Sequence, residues 1–231
     1  MSSDSLFWRE PEAPQRYVVP EDVHDLVFRV RGDRLEIDHA LALAEALRDR
    51  LGEAICSRIG VHGVRLADSG NGWIRPDDGA EEVVLPRRAR LAIRVHRDDH
   101  AAVEDLSHGY LDLGDRQLQL GEARRRELVP LGSLHARGIR CDAGQSEPEF
   151  LSDSAASLRR MGIDVARMIC GRSREIRGTG ERLFTRSLMI ADLKPEESVR
   201  LQQHGLGEDR LLGCGLFVPH KGIDPVFSEQ E

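Results

Sequence analysis

Two stretches carry residues whose types and spacing could do chemistry. In the first, Asp38 and His39 stand immediately before ALALAEALRDRLG, whose apolar residues at 41, 43, 44, 47 and 51 recur at helical spacing. Asp38 is expected to cap that helix and Gly52 to end it. His39 then falls in the first turn, where the partial positive charge of the helix N-terminus disfavours imidazolium, while the adjacent Asp38 carboxylate pulls the other way. A neutral imidazole can serve as a general base, although histidine at a helix start is more often a surface or capping residue. In the second stretch, GLGEDRLLGCGLFVPHK, paired glycines (Gly205 and Gly207, Gly213 and Gly215) flank five residues that include Arg210, and His220 and Lys221 follow. Glycine allows positive φ and close approach of another molecule to the main chain, so the loop is a candidate phosphate cradle; a plain turn is the simpler reading.

Charge is distributed unevenly. The net charge of −7 weighs against nucleic acid as a partner, because phosphate recognition needs local positive potential. Yet LPRRARLAIRVHR (85–97) holds five arginines and no acid, and between 167 and 186 six arginines (Arg167, Arg172, Arg174, Arg177, Arg182, Arg186) face only Glu175 and Glu181. Lys194 and Lys221 are the only lysines among 33 basic residues. Guanidinium groups suit bidentate phosphate contacts, but an arginine bias also follows from genome composition. Among the other histidines, His62 in GVHGV reads as a core or strand-edge residue with a ligand contact as the alternative, and His135 and His204 read as structural. No metal-ligand spacing appears, HRDDH (96–100) reading as a helix start, and neither a P-loop nor G-x-S-x-G is present. Cys56, Cys141, Cys170 and Cys214 are isolated and expected to be free thiols. No metal or cofactor is implied.

The elements that must position these residues follow from hydrophobic periodicity. A chain of 231 residues, 40% hydrophobic, can bury one large or two small cores. No run approaches the roughly 20 apolar residues of a membrane span, and the polar, acidic start resembles no signal sequence, so a cytoplasmic location is expected. Strands are expected at 23–30, 55–66, 82–84, 89–95, 110–113 and 116–120, with helices over 39–51 and 98–107. This is β-α-β-β-α-β order. After VPLGS the order repeats: strand LHARGIRC, helix PEFLSDSAASLRRMG, strands VARMICGR and RLFTRSLMIADL, helix KPEESVRLQQHG opened by Pro195, and closing strand LLGCGLFVP. The expected architecture is α+β: an irregular arm over 1–22, a ferredoxin-like (RRM-like) module over 23–132 and a second over 133–231.

That order, with the glycine loop between the last helix and last strand, resembles the CRISPR repeat-processing endoribonucleases of the Cas six family in the RAMP superfamily. IDHALALAEALRDRLG, IGVHGV and PEESVRLQQHGLGEDRLLGCGLFVPHK are similar to the blocks of its MYXAN subtype, and the likeness runs from about 24 to 222. The resemblance implies metal-independent cleavage of CRISPR precursor RNA within each repeat stem-loop, leaving a 2′,3′-cyclic phosphate, and other subunits of a CRISPR effector complex as further partners. It assigns His39 as the general acid/base and Gly205, Gly207, Gly213 and Gly215, with Arg210 projecting between them, as RNA-facing. By location it gives the basic hairpin (Arg172, Arg174, Arg177), and with it Arg186, the stem-binding role; His220 and Lys221, beside the glycine loop, stand as phosphate contacts, with a plain solvated turn as the alternative. Some relatives pair their histidine with a tyrosine or lysine. No lysine lies in the first 193 residues here, so an arginine would have to stabilise charge on phosphorus. A non-catalytic RNA-hairpin-binding subunit, and an unrelated ferredoxin-like enzyme acting on a small molecule, are the competing readings.

Overall fold

In β1 (Val23–Arg31) the alternation of the sequence is read directly into burial: Leu26, Phe28 and Val30 lie at or below 2% exposure, whereas Arg29 and Arg31 are open to solvent. The computed structural model describes residues 17–65, 82–176 and 182–220. β1 is central in a five-stranded antiparallel sheet of order β3-β5-β1-β7-β6, formed with β3 (Gly60–Arg65), β5 (Arg90–His96), β6 (Tyr110–Leu113) and β7 (Arg116–Arg126). Helices α1 (Ala40–Leu51), α2 (Glu53–Cys56) and α3 (His100–Glu104) belong to this half. Leu43, Ala44 and Leu47 of α1 share a core with Leu26, Phe28, Leu91 and Ile93. A separate ribbon pairs β2 (Arg34–Glu36) with β4 (Glu82–Val84).

The second sheet has the order β11-β8-β10-β9, from β8 (Leu134–Cys141), β9 (Arg167–Ile176), β10 (Leu183–Ala191) and β11 (Phe217–Pro219). Helix α4 (Glu147–Arg160) starts with a Ser146/Glu149 capping box, and α5 (Pro195–His204) opens on Pro195 with Glu197 accepting the Lys194 N–H. Their apolar faces, through Phe150, Leu158 and Leu201, close a second core with Leu134, Leu188, Ile190 and Phe217. Each half thus sets its split β-α-β units in one antiparallel sheet with the first strand central, the ferredoxin-like arrangement in tandem.

Four local expectations are corrected. The residue before α1 is His39, not Asp38, and its side chain makes no capping bond to the helix. Residues 55–59 are not strand: Gly52, at φ 76°, ends α1, and the chain re-enters a helical turn that buries Cys56 before β3 begins at Gly60. β7 runs on through Arg124–Arg126, because ladder pairing with central β1 outweighs the charge of those side chains. The closing strand is only Phe217–Pro219; residues 210–212 form a single 3-10 turn.

Candidate nucleic-acid interface and catalytic histidine

His39 is held on both ring nitrogens. Its Nδ1 lies 2.8 Å from the Glu36 carbonyl, which can only accept, so Nδ1 carries the proton and Nε2 the lone pair. Nε2 accepts the Val64 backbone N–H at 3.2 Å, where β3 bulges around His62 and Gly63. The ring is half-buried, and burial pushes its pKa below the ordinary value of 6.5; the Glu36 carbonyl and Asp38 oppose that, and Arg137 of β8 adds to it. A histidine of the first half is therefore within electrostatic reach of a guanidinium of the second.

Arg137 connects His39 with a groove of ≈ 880 Å³ between the two sheets. From the second half the groove is lined by His135, Arg137, Arg174 and His220, with the His135 and His220 ring centroids 6.0 Å apart. From the first half come Asp25, Arg94 and Arg126. Arg137 also lines a small crevice with His62, Gly213, Leu216 and Val218.

In the groove wall lies a row of charge set by strand register, in which buried Asp25 of β1 faces buried Arg94 of β5 and exposed Arg126 of β7. Asp25 accepts from Arg94 Nε at 2.9 Å and from Arg126 Nη2 at 2.7 Å. Burial alone would raise the Asp25 pKa, but the His62 ring and the Arg94 guanidinium beside it hold the carboxyl well below the usual carboxylate range. His62 Nε2 approaches Asp25 at 3.4 Å, and burial, aided by Arg94 and Arg126 and opposed by Asp25, lowers its pKa to about 4. Arg94, 1% exposed, also donates from Nη1 to the Gln202 and Phe217 carbonyls, each at 2.8 Å. It joins the halves.

A profile of the Cas6 CRISPR family matches residues 24–222. The CRISPR-associated endonuclease Cas6 of Myxococcus xanthus (strain DK1622) is 30% identical over 195 residues, covering 84% of this chain and 80% of that protein. The chain belongs to the Cas6 family. Its fold is shared with a solved CRISPR-associated protein Cas6 (TM-score 0.63, 11% identity, 86% of this chain and 100% of that one). A Cas6-related protein from Pyrococcus furiosus gives TM-score 0.52 at 11% identity, over 84% and 97% of the two chains.

In this Cas6 chain the residues singled out from sequence divide into three groups. Arg172 and Arg174 are exposed on β9, with Arg174 in the groove, and exposed His220 joins it there. Others serve the protein itself. Arg186 donates to the Gly171 and Gln145 carbonyls. Arg210 does not project from the glycine loop: it turns inward, donates to the Gln203 carbonyl and leaves Nε buried with no hydrogen-bond partner among the described residues. Gly205 and Gly215 are buried against the loop itself, since a Cβ on Gly205 would meet the Gly215 carbonyl at 2.6 Å, and Leu206 N–H donates to that carbonyl. Gly213, at φ 86°, sets its backbone on the Val61 carbonyl of β3, while Gly207 is exposed. Leu211, between the glycine pairs, is buried in the core of the first half. The loop is a joint between modules. Arg177 and Lys221 lie outside the described residues.

Sequence reasoning passed over Arg137, Arg126 and Arg94 as individual residues and took His135 as structural. The period-two pattern of LHARGIRC was a usable signal, because it sets His135 and Arg137 on one face with Leu134 and Ala136 on the other. Nothing in sequence says which partner that polar face meets.

Proposed function

We propose that this protein is a metal-independent endoribonuclease that cuts CRISPR precursor RNA within its repeats and leaves a 2′,3′-cyclic phosphate, working in the cytoplasm. The observation that carries the reading is the His39 ring, its tautomer fixed by the Glu36 carbonyl and Val64 N–H, within electrostatic reach of the groove-lining Arg137. In the proposed step, the ribose 2′-hydroxyl loses its proton to His39 Nε2, which exchanges the Val64 N–H for the substrate. The 2′-oxygen forms a bond to the adjacent phosphorus, the bond from phosphorus to the 5′-oxygen breaks, and the leaving oxygen takes a proton from water to become a 5′-hydroxyl, the hydroxide so formed being neutralised by the proton His39 then releases. The nucleophile belongs to the substrate, so the protein's tasks are moving protons and holding in-line geometry. Arg137 is suited to the charge that grows on the phosphoryl oxygens, a role a guanidinium fills through paired donors. Arg172, Arg174 and His220 are proposed to hold the repeat stem and its flank.

One observation favours a second reading. Both ring nitrogens of His39 already have partners, as in a histidine that only ties α1 to β3. A non-catalytic RNA-hairpin-binding subunit of a CRISPR effector complex would keep that arrangement with RNA bound. Incubating the purified protein with a repeat hairpin RNA in EDTA, beside His39→Ala, separates the two. Cleavage by the wild type to a cyclic-phosphate end, lost in a variant that still binds, supports the nuclease. Binding without cutting by the wild type supports the subunit.

A further inference from the structure

Several arginines on this surface have an acidic partner: Arg58 with Asp99, Arg125 with Glu127, Arg140 with Asp209, Arg182 with Glu175. Arg29, Arg31 and Arg124 are exposed and form no ion pair among the described residues, yet they stand together around one hollow of ≈ 260 Å³. Strand geometry explains the grouping. Alternate residues of β1 share a face, so Arg29 and Arg31 lie on the same side as Asp25, and the register pairs Val27 with Arg124 and Asp25 with Arg126. A bulge in the β1–β7 ladder then sets Gly121 and Glu122 opposite Arg29. Gly121 makes the hollow: a Cβ there would lie 3.2 Å from the Arg29 Cβ. Ser107 Oγ accepts the Ala123 N–H freed by the bulge, and His108, at φ 60°, stands on the rim.

The hollow lies on the same two strands and the same face as the groove. Asp25 and Arg126 line the groove, and Arg29 is four residues from Asp25, about 13 Å at roughly 3.3 Å per residue. The lining offers three cations against Glu122, and its one ring is the His108 imidazole on the rim, so it suits a phosphodiester more than a row of stacked bases.

We propose that Arg29, Arg31 and Arg124, around the Gly121 bulge, form a second RNA-backbone site that grips the single-stranded segment running out of the groove. The proposal rests on the RNA reading of the groove. It makes recognition there electrostatic and independent of base sequence, and it predicts that flanking RNA adds affinity which salt removes.

The test compares the full chain with R29Q/R31Q/R124Q by fluorescence anisotropy at several salt concentrations, using a repeat hairpin with and without a single-stranded flank. For the wild type the flank is expected to tighten binding at least 5-fold and steepen the log–log salt slope by about 2, from three contacts at roughly 0.7 each. The triple variant is expected to lose that gain while binding and cutting the bare hairpin as the wild type does. Glu122→Gln provides the opposite sign, with tighter binding of the flanked RNA only. A flank gain that persists in the triple variant, or no gain in the wild type, overturns the proposal. Unstructured oligouridine separates this outcome from failure of the nuclease reading: if no hairpin is cut, weaker oligouridine binding by the triple variant still supports the site, and equal binding removes it.

Discussion

At the scale of single residues, His39 is the group on which the proposed chemistry turns. His39→Ala is expected to lower single-turnover cleavage by about 10²–10⁴-fold, the usual worth of a positioned general acid or base, with RNA affinity within a few-fold of the wild type. Its pKa lies below 6.5 because the ring is buried, so at neutral pH the base form is already populated. The sign follows: with His39 as base, the rate is flat around pH 7 and falls only as pH drops through that lowered pKa. A single-turnover pH profile with its acid limb above pH 7 would contradict this assignment. Arg137→Ala should slow cleavage at saturating protein, and Arg137→Lys should restore only part of it, since an ammonium is a point charge without the guanidinium fork.

At the scale of elements, the glycine loop and the charge row hold α1, β3 and the second sheet together. Gly215→Ala drives a Cβ into the Leu206 carbonyl at φ 71°, so the loss of stability should far exceed that of Gly207→Ala. The latter meets nothing within 4 Å and carries only the left-handed backbone penalty of about 1–2 kcal/mol. Arg94→Met strips Asp25 of a buried partner and leaves the Gln202 and Phe217 carbonyls short of a donor. The expected loss is about 3–5 kcal/mol by urea unfolding, the range for breaking a buried pair from one side.

For the whole molecule, the two halves meet through backbone, buried charge and the Leu211 side chain seated in the first core, and the polar faces of the two sheets are left to form one groove. Net charge is −7, but the groove gathers Arg126, Arg137 and Arg174 at one place, which is how an acidic protein presents a local positive potential. Replacing Arg172 and Arg174 together by alanine should flatten the log–log salt dependence of hairpin binding by about 1.5, at roughly 0.7–0.9 per lost phosphate contact. Stability should respond to acid through His62. Its folded pKa of about 4 lies below the ordinary 6.5, so its contribution is complete above pH 6.5 and is lost as pH falls toward 4. A His62→Gln variant with the same acid limb as the wild type would rule out that origin.

The order of strands and helices was legible in the sequence because hydrophobic period is local, as in VHDLVFRVR or the apolar stripe of α1. The tandem ferredoxin-like arrangement followed from that order, and His39 was marked by its place at a helix start. The fate of the arginines and glycines was decided only in three dimensions. Arg94, Arg174 and Arg186 are the same residue type in strand-like sequence, yet one clasps the modules, one faces the groove and one ties down carbonyls. The Gly205–Gly215 loop has the composition of a phosphate cradle and is instead folded on itself. A side chain's role depends on which strand register and which distant carbonyl or carboxylate it meets, and such pairings join residues far apart in sequence, Arg94 to the Phe217 carbonyl across 123 positions. Local periodicity therefore fixes faces, and only tertiary packing decides what each face meets.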